Sequence, residues 1–85
     1  MQVLIPGALR SYTRVSRVEA HGATLRDLMA SLERQFPGIR FRIVDEQERL
    51  RANMRVFVNG VAVHDLARPL QPGDDVSIVQ ALSGG

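Results

Sequence analysis

Along TLRDLMASLERQF, Leu25, Leu28, Met29, Leu32 and Phe36 recur at helical spacing and form one apolar stripe about as long as a typical globular helix. Thr24 is placed to cap its start. Asp27, three residues on, sits where a carboxylate can reach back to the cap amide and favours the positive dipole end. Pro37-Gly38 ends the pattern. Met29 belongs to the packing stripe and has no cofactor role. Strand-like runs flank this helix. QVLI and RVSRVEA precede it, separated by PGALRSYT, which is short enough for a hairpin connection. After it, MRVFVNGVAV places two β-rich runs around Asn59-Gly60, the pair that best accepts the positive φ angles of a type I′ turn. LQPGDDVSIVQA then gives a Pro72-Gly73 turn and a last strand, with Val76 and Ile78 on one face. Residues 39–53 fit two readings, since Ile39, Phe41 and Ile43 alternate like a strand but also suit a short helical turn.

The resulting order, β-β-α-β-β-β, is a hairpin, one crossing helix and three further strands. It predicts an α+β chain of the β-grasp type, with a mixed sheet of four or five strands around one main helix. Such a helix covers one sheet face and leaves the other wet or available to a partner. Residues 1–81 are expected to form a single domain and residues 82–85 a flexible tail. Fold alone does not give function, because β-grasp domains serve as tags, iron–sulfur carriers, RNA-binding modules and adaptors.

Composition narrows that set. The 85 residues include no cysteine, which removes iron–sulfur ligation, thiolate metal sites, disulfides and a cysteine nucleophile within the chain. All eleven cations are arginine, and nine carboxylates are interspersed among them for a net charge of +2, so no long block of one sign forms. Stacking on single-stranded nucleic acid would need exposed aromatics, yet Tyr12, Phe36, Phe41 and Phe57 lie mostly in core-like patterns. Nucleic acid is therefore not the expected partner. No stretch is long enough to span a bilayer, and the first residues lack the hydrophobic segment of a signal peptide, which predicts a cytoplasmic protein. His64-Asp65 is the one local metal-like pair, and two adjacent ligands do not make a site. Ser11, His64 and Asp65 could form a triad on paper, but no nucleophile elbow accompanies them. Without a lysine there is no P-loop, and no bound cofactor or metal is expected.

The last residues change the picture most. VSIVQALSGG runs from strand residues straight into two glycines, the residues that lose most freedom on ordering. PLQPGDDVSIVQALSGG, with FVNG upstream, resembles the ThiS/MoaD family of ubiquitin-like sulfur carriers, whose chains end in Gly-Gly. More weakly, the resemblance takes in VLIPGALR and TLRDLMASLERQFPGI. The long segment FPGIRFRIVDEQERLRANMRVFVNG is similar to the CysO-type branch. Ser83 stands where alanine or threonine is more usual, and Gln80 where a proline often sits.

What that resemblance implies is chemical. A free carboxylate is a poor electrophile. The family implies a ubiquitin-activating-type adenylyltransferase that uses ATP to convert the Gly85 carboxylate to an acyl-adenylate, after which a sulfur donor leaves a terminal thiocarboxylate. Sulfur would then ride on a backbone carbonyl carbon, which accounts for a sulfur protein without cysteine. The chain is thus expected to be a protein co-substrate rather than an enzyme, delivering sulfur to a downstream synthase. Gly84 and Gly85 suit a narrow channel in which a Cβ would collide with the wall. With a strand ending near Gln80, the five residues beyond it reach at most about 17 Å. Strand alternation points Val79 and Ala81 away from the face of Val76 and Ile78. Val79 matches a hydrophobic contact position of the family, and Leu82 and Ser83 complete the expected partner-binding set. The sulfur could serve cysteine, a cofactor or a secondary metabolite. The alternatives are a molybdopterin synthase small subunit, or a non-reacting β-grasp adaptor or RNA-binding module.

Overall fold

In a computed structural model, which describes residues 1–81, the chain forms a five-stranded mixed sheet with helices packed on one face. The strands are β1 (Gln2–Leu4), β2 (Arg17–Glu19), β3 (Met54–Val58), β4 (Val61–Val63) and β5 (Val76–Gln80), in the spatial order β2-β1-β5-β3-β4. β1 and β5 run parallel at the centre, and every other pair is antiparallel. The succession of five strands and one main helix, and the mixed β-grasp sheet, are those expected from the sequence.

The main helix, α2 (Leu25–Gln35), turns Leu25, Leu28, Met29 and Leu32 into the core against Val3, Val56, Val76 and Ile78 of the sheet. Full burial of each such side chain stabilises the fold by roughly 1.5–3 kcal/mol. Thr24 caps the helix as expected, its Oγ1 accepting from the Asp27 amide at 3.2 Å. Asp27 contributes that amide rather than its carboxylate. The two preceding amides find partners across the fold: Leu25 N–H donates to Arg68 C=O and Arg26 N–H to Leu66 C=O. The loop after β4 therefore satisfies helix-end donors that would otherwise be orphaned. Gly22 permits the close approach that precedes the helix, since a Cβ there would lie 2.4 Å from the Leu28 amide nitrogen.

Two connections differ from a simple reading of pattern. PGALRSYT joins an antiparallel pair, as expected, but it is helical: a 3-10 turn (Gly7–Leu9) runs into α1 (Arg10–Thr13). Leu9 and Thr13 are buried, so the connection is part of the core wall. Residues 39–53, which fit both strand and helix on paper, begin as α3 (Ile39–Ile43). Ile39 and Ile43, four apart, are both buried, whereas Phe41 is 57% exposed. The core therefore takes the helical spacing over the alternating one. Gly38, at φ 98°, reverses the chain, and the Glu33 carboxylate accepts from the amides of Gly38 (2.9 Å) and Arg40 (3.0 Å). Those amides hold Glu33 below its ordinary pKa. A small bridge between Val44 and Leu50 follows, closed by Asp45, whose Oδ1 accepts from Gln47 and Arg49 N–H.

The Asn59-Gly60 turn has the predicted geometry, with φ of 51° and 82°. Asn59 also ties the β3–β4 hairpin to the loop before β5. Its side chain donates to Asp74 Oδ1 and accepts from the Asp75 amide, each at 2.9 Å. The Pro72-Gly73 turn closes through Asp74 N–H to Gln71 C=O.

Candidate functional site: the end of β5

β5 is the strand nearest the terminal residues in sequence, and its neighbours fix its register. On its β3 side the register pairs Val76 with Val58, Ile78 with Val56 and Gln80 with Met54. Ala81 N–H continues this ladder, donating to Asn53 C=O at 2.7 Å. The backbone is thus held through Ala81, the last described residue. Leu82, Ser83, Gly84 and Gly85, four of the expected site residues, lie outside the described residues.

Val79 and Ala81 are described, and both alternate away from the buried Val76 and Ile78. Val79 is 40% exposed on the sheet face opposite α2, and Ala81 is half-buried. Around Val79 the outer face is mixed. Half-buried Leu4 and Phe57 lie on either side of Ser77, one residue pair further along β5, and exposed Arg55 stands directly opposite Val79. Leu4 is in turn opposite Arg17 on β2. Leu4, Phe57 and Val79 therefore form a small apolar area bounded by arginines.

Beside Val79, toward β1, lies a groove of about 400 Å³ lined by Leu4 to Ala8, Arg10 and Ile78 to Gln80. Nothing in the strand pattern announces it, because it exists where β1 turns away from β5. Proline at position 6 and the helical propensity of the following residues are the signals that could have found it. The Arg10 Nε donates to Ile5 C=O at 3.3 Å, which holds that side chain at the groove. Arg10, Arg17 and Arg55 take part in none of the ion pairs among the described residues.

The catalytic alternatives are not assembled. Ser11 lies on α1, which follows β1, whereas His64 follows β4 at the sheet edge beyond β5 and β3. Asp65 Oδ1 accepts from the Ala67 amide and shapes a turn. Among the described residues, no group of three or more His, Asp or Glu side chains could hold a metal ion. No described helix is long and apolar enough to cross a membrane. The shifted carboxylates, Glu19, Glu33, Asp45 and Asp74, all serve structural bonds: Glu19 is lowered first by the N-terminal ammonium of Met1, the others first by backbone amides.

Comparison with known proteins agrees with this geometry. The family model described as "ThiS family" matches residues 3–85. The sulfur carrier protein CysO of Mycobacterium tuberculosis is 34% identical over 98% of this chain and 96% of its own length. Among solved structures, the Amycolatopsis orientalis BexX/CysO complex contains a chain with a TM-score of 0.91 and 35% identity, covering 99% of this chain and 98% of that one. Mycobacterium tuberculosis CysO superposes with a TM-score of 0.90 at 32% identity, over 95% of this chain and 98% of that one. With the family match extending across the sheet, α2 and the final glycines, this chain belongs to the ThiS family of ubiquitin-like β-grasp proteins.

Proposed function

We propose that this protein is a sulfur carrier whose Gly85 carboxylate is activated by a partner adenylyltransferase and converted to a thiocarboxylate. The observation that carries the reading is the full-length match to CysO-type carriers, on a chain whose central strand is anchored up to Ala81 and leads to Gly-Gly. In the first step the carboxylate attacks the α-phosphate of ATP, forming the acyl-adenylate and releasing pyrophosphate. A partner's persulfide then attacks the acyl carbon and expels AMP, giving an acyl disulfide. A thiol reductant cleaves its S–S bond and leaves the thiocarboxylate. The adenylyltransferase supplies the ATP site and the carrier supplies the acyl group, so the chain acts as co-substrate and not as catalyst.

The body of the domain contributes reach and docking. β5 ends at Gln80, so the five residues 81–85 span at most about 17 Å. Val79, with Leu82 and Ser83 beyond it, supplies the apolar part of the contact with the adenylyltransferase and then with the synthase that accepts the sulfur. The long segment between α2 and β3, similar to the CysO-type branch, favours an amino-acid or metabolite pathway as the destination we propose. Intact mass spectrometry after incubation with the cognate adenylyltransferase, ATP, a persulfide donor and a thiol tests the reading. One terminal oxygen replaced by sulfur supports it. An unchanged mass with a partner proven competent on its own carrier overturns it.

A further inference from the structure

The register of the central strands leaves one edge of β5 open, and a proline two residues after β1 is the cause. Ala81 N–H donates to Asn53 C=O and Asn59 N–H to Asp75 C=O. Odd-numbered residues of β5 therefore turn their amides and carbonyls toward β3, and Val76, Ile78 and Gln80 turn theirs toward β1. On β1, Ile5 N–H donates to Ser16 C=O on the β2 side, so Leu4 and Pro6 are the residues that face β5. Leu4 stands opposite Ser77, the position from which a parallel strand serves residues 76 and 78. The next donor in that ladder would be Pro6, which has no N–H. Its carbonyl instead accepts from Leu9 N–H in the 3-10 turn. The register between β1 and β5 ends at Leu4 and Ser77. Ile78 C=O and both backbone groups of Gln80 thus face the groove rather than a strand.

An open edge beside an apolar groove is the geometry that accepts an added strand. The accessible apolar side chains of the groove are half-buried Leu4 and Pro6 and exposed Ala8 and Val79, with buried Ile5 and Ile78 also lining it, and Arg10 stands at its margin. Beyond the groove on the outer sheet face, Arg17 and Arg55 stand opposite Leu4 and Val79 respectively, without carboxylate partners among the described residues, Arg55 donating instead to the carbonyls of Ala52 and Met54. Extended backbone, alternate apolar side chains and neighbouring carboxylates would complement these features together.

We propose that the open edge of β5 at Ile78–Gln80 receives an extended acidic-apolar segment of a protein partner as an added strand in the groove between β5 and Pro6-Gly7-Ala8. This deepens the carrier reading only by taking the occupant to be a protein partner; the edge itself does not depend on sulfur chemistry. The added strand would bond to Gln80 N–H and C=O, lay an apolar side chain between Pro6 and Val79, and set a carboxylate toward Arg10. Such binding would clamp β5 one residue before the last backbone bond to β3, at Ala81.

The test uses the full chain in its carboxylate form, without ATP or sulfur donor, and a capped heptapeptide alternating Glu or Asp with Val as the probe. In the free protein the Gln80 amide is expected to exchange rapidly with solvent although it lies in a strand. On titration, amide chemical shifts should move at residues 4–10 and 78–80, and Gln80 should become protected. Methylating the central peptide amides, or changing Gln80→Pro, is expected to weaken binding on the order of tenfold through lost backbone bonds. The proline removes only a donor that faces the groove, and the methylated peptide keeps the test sound should that variant misfold. Arg10→Glu should weaken binding and flatten its salt dependence. Shifts that map elsewhere, no shift at millimolar peptide, or equal affinity of the methylated peptide would overturn the proposal. Concentration-dependent dimerisation through the same amides would overturn the assigned occupant, naming a second copy instead. The mass-spectrometric test of the carrier stands apart from all of these outcomes.

Discussion

The two halves of β5 have the same alternation but different surroundings. Val76 and Ser77 lie between β1 and β3, whereas Ile78, Val79 and Gln80 have β3 on one side and the groove on the other. Val76 and Ile78 are buried, whereas Val79 is exposed. One strand thus serves as the centre of the core and as the mounting for the terminal residues. The difference teaches that the fold does not need the end of β5 as it needs the beginning, which leaves the end available for partners.

The sharpest way to break this comparison is to alter what lies beyond the strand. Deleting Gly85 withdraws the carboxylate by about 3.5 Å, against the roughly 1 Å misplacement that can already cost a hundredfold in rate. Adenylation, read by pyrophosphate exchange, is expected to fall by more than about a hundredfold while the melting temperature stays put. Gly84→Val should do the same by placing a branched side chain in the channel. Normal exchange with either variant would show that these glycines are not the reactive end.

The opposite result is expected on the buried face of the strand. Ile78→Ala removes a fully buried side chain between α2 and the sheet, and should cost about 2–5 kcal/mol in denaturant unfolding. Exchange activity of the remaining folded protein should change little. A loss of activity as large as that of the Gly85 deletion in a folded sample would erase that distinction.

Val79→Asp tests the border. Its exposure predicts a fold that is nearly unperturbed, with adenylyltransferase affinity reduced by about 1–3 kcal/mol because a charge enters a desolvated contact. Calorimetric titration reads the affinity and circular dichroism the fold. Unchanged affinity would remove Val79 from the interface.

The smallest effect concerns the loop that leads into β5. Asp74 is held below its ordinary pKa of 3.8, first by the Gln71 amide and then by Asn59. A lowered folded-state pKa means that the unfolded chain takes up its proton first as pH falls. The associated stability is therefore complete above the ordinary value and is lost progressively as pH drops through the lowered one. Asp74→Asn should flatten that acid limb slightly in thermal melts between neutral pH and strongly acid conditions, and an unaltered limb would show that the bonds to Asp74 carry no pH dependence.

Much of this protein was legible in its residues, for reasons that are local. The α2 stripe, the Thr24 cap and the Asn59-Gly60 turn each depend on side-chain spacing or on backbone angles within a few residues, and each formed as the pattern required. Alternation along β5 likewise put Val79 on the outer face. The resemblance carried by PLQPGDDVSIVQALSGG and FVNG points to the same family as the match over residues 3–85. Residues 39–53 were not legible, because Ile39, Phe41 and Ile43 satisfy two periodicities equally well over so short a run. Only packing chose between them, burying the pair four apart and leaving Phe41 against Arg51, whose guanidinium lies 4.4 Å from the ring centroid. The satisfied end of α2 and the open edge of β5 were also beyond the pattern. Both depend on which distant backbone groups meet: the carbonyls of Leu66 and Arg68 at the helix amides in one case, and the missing N–H of Pro6 opposite Ile78 in the other. Sequence fixes a residue's own conformational preferences, but a hydrogen-bond partner many residues away is decided only when the sheet closes and sets the register.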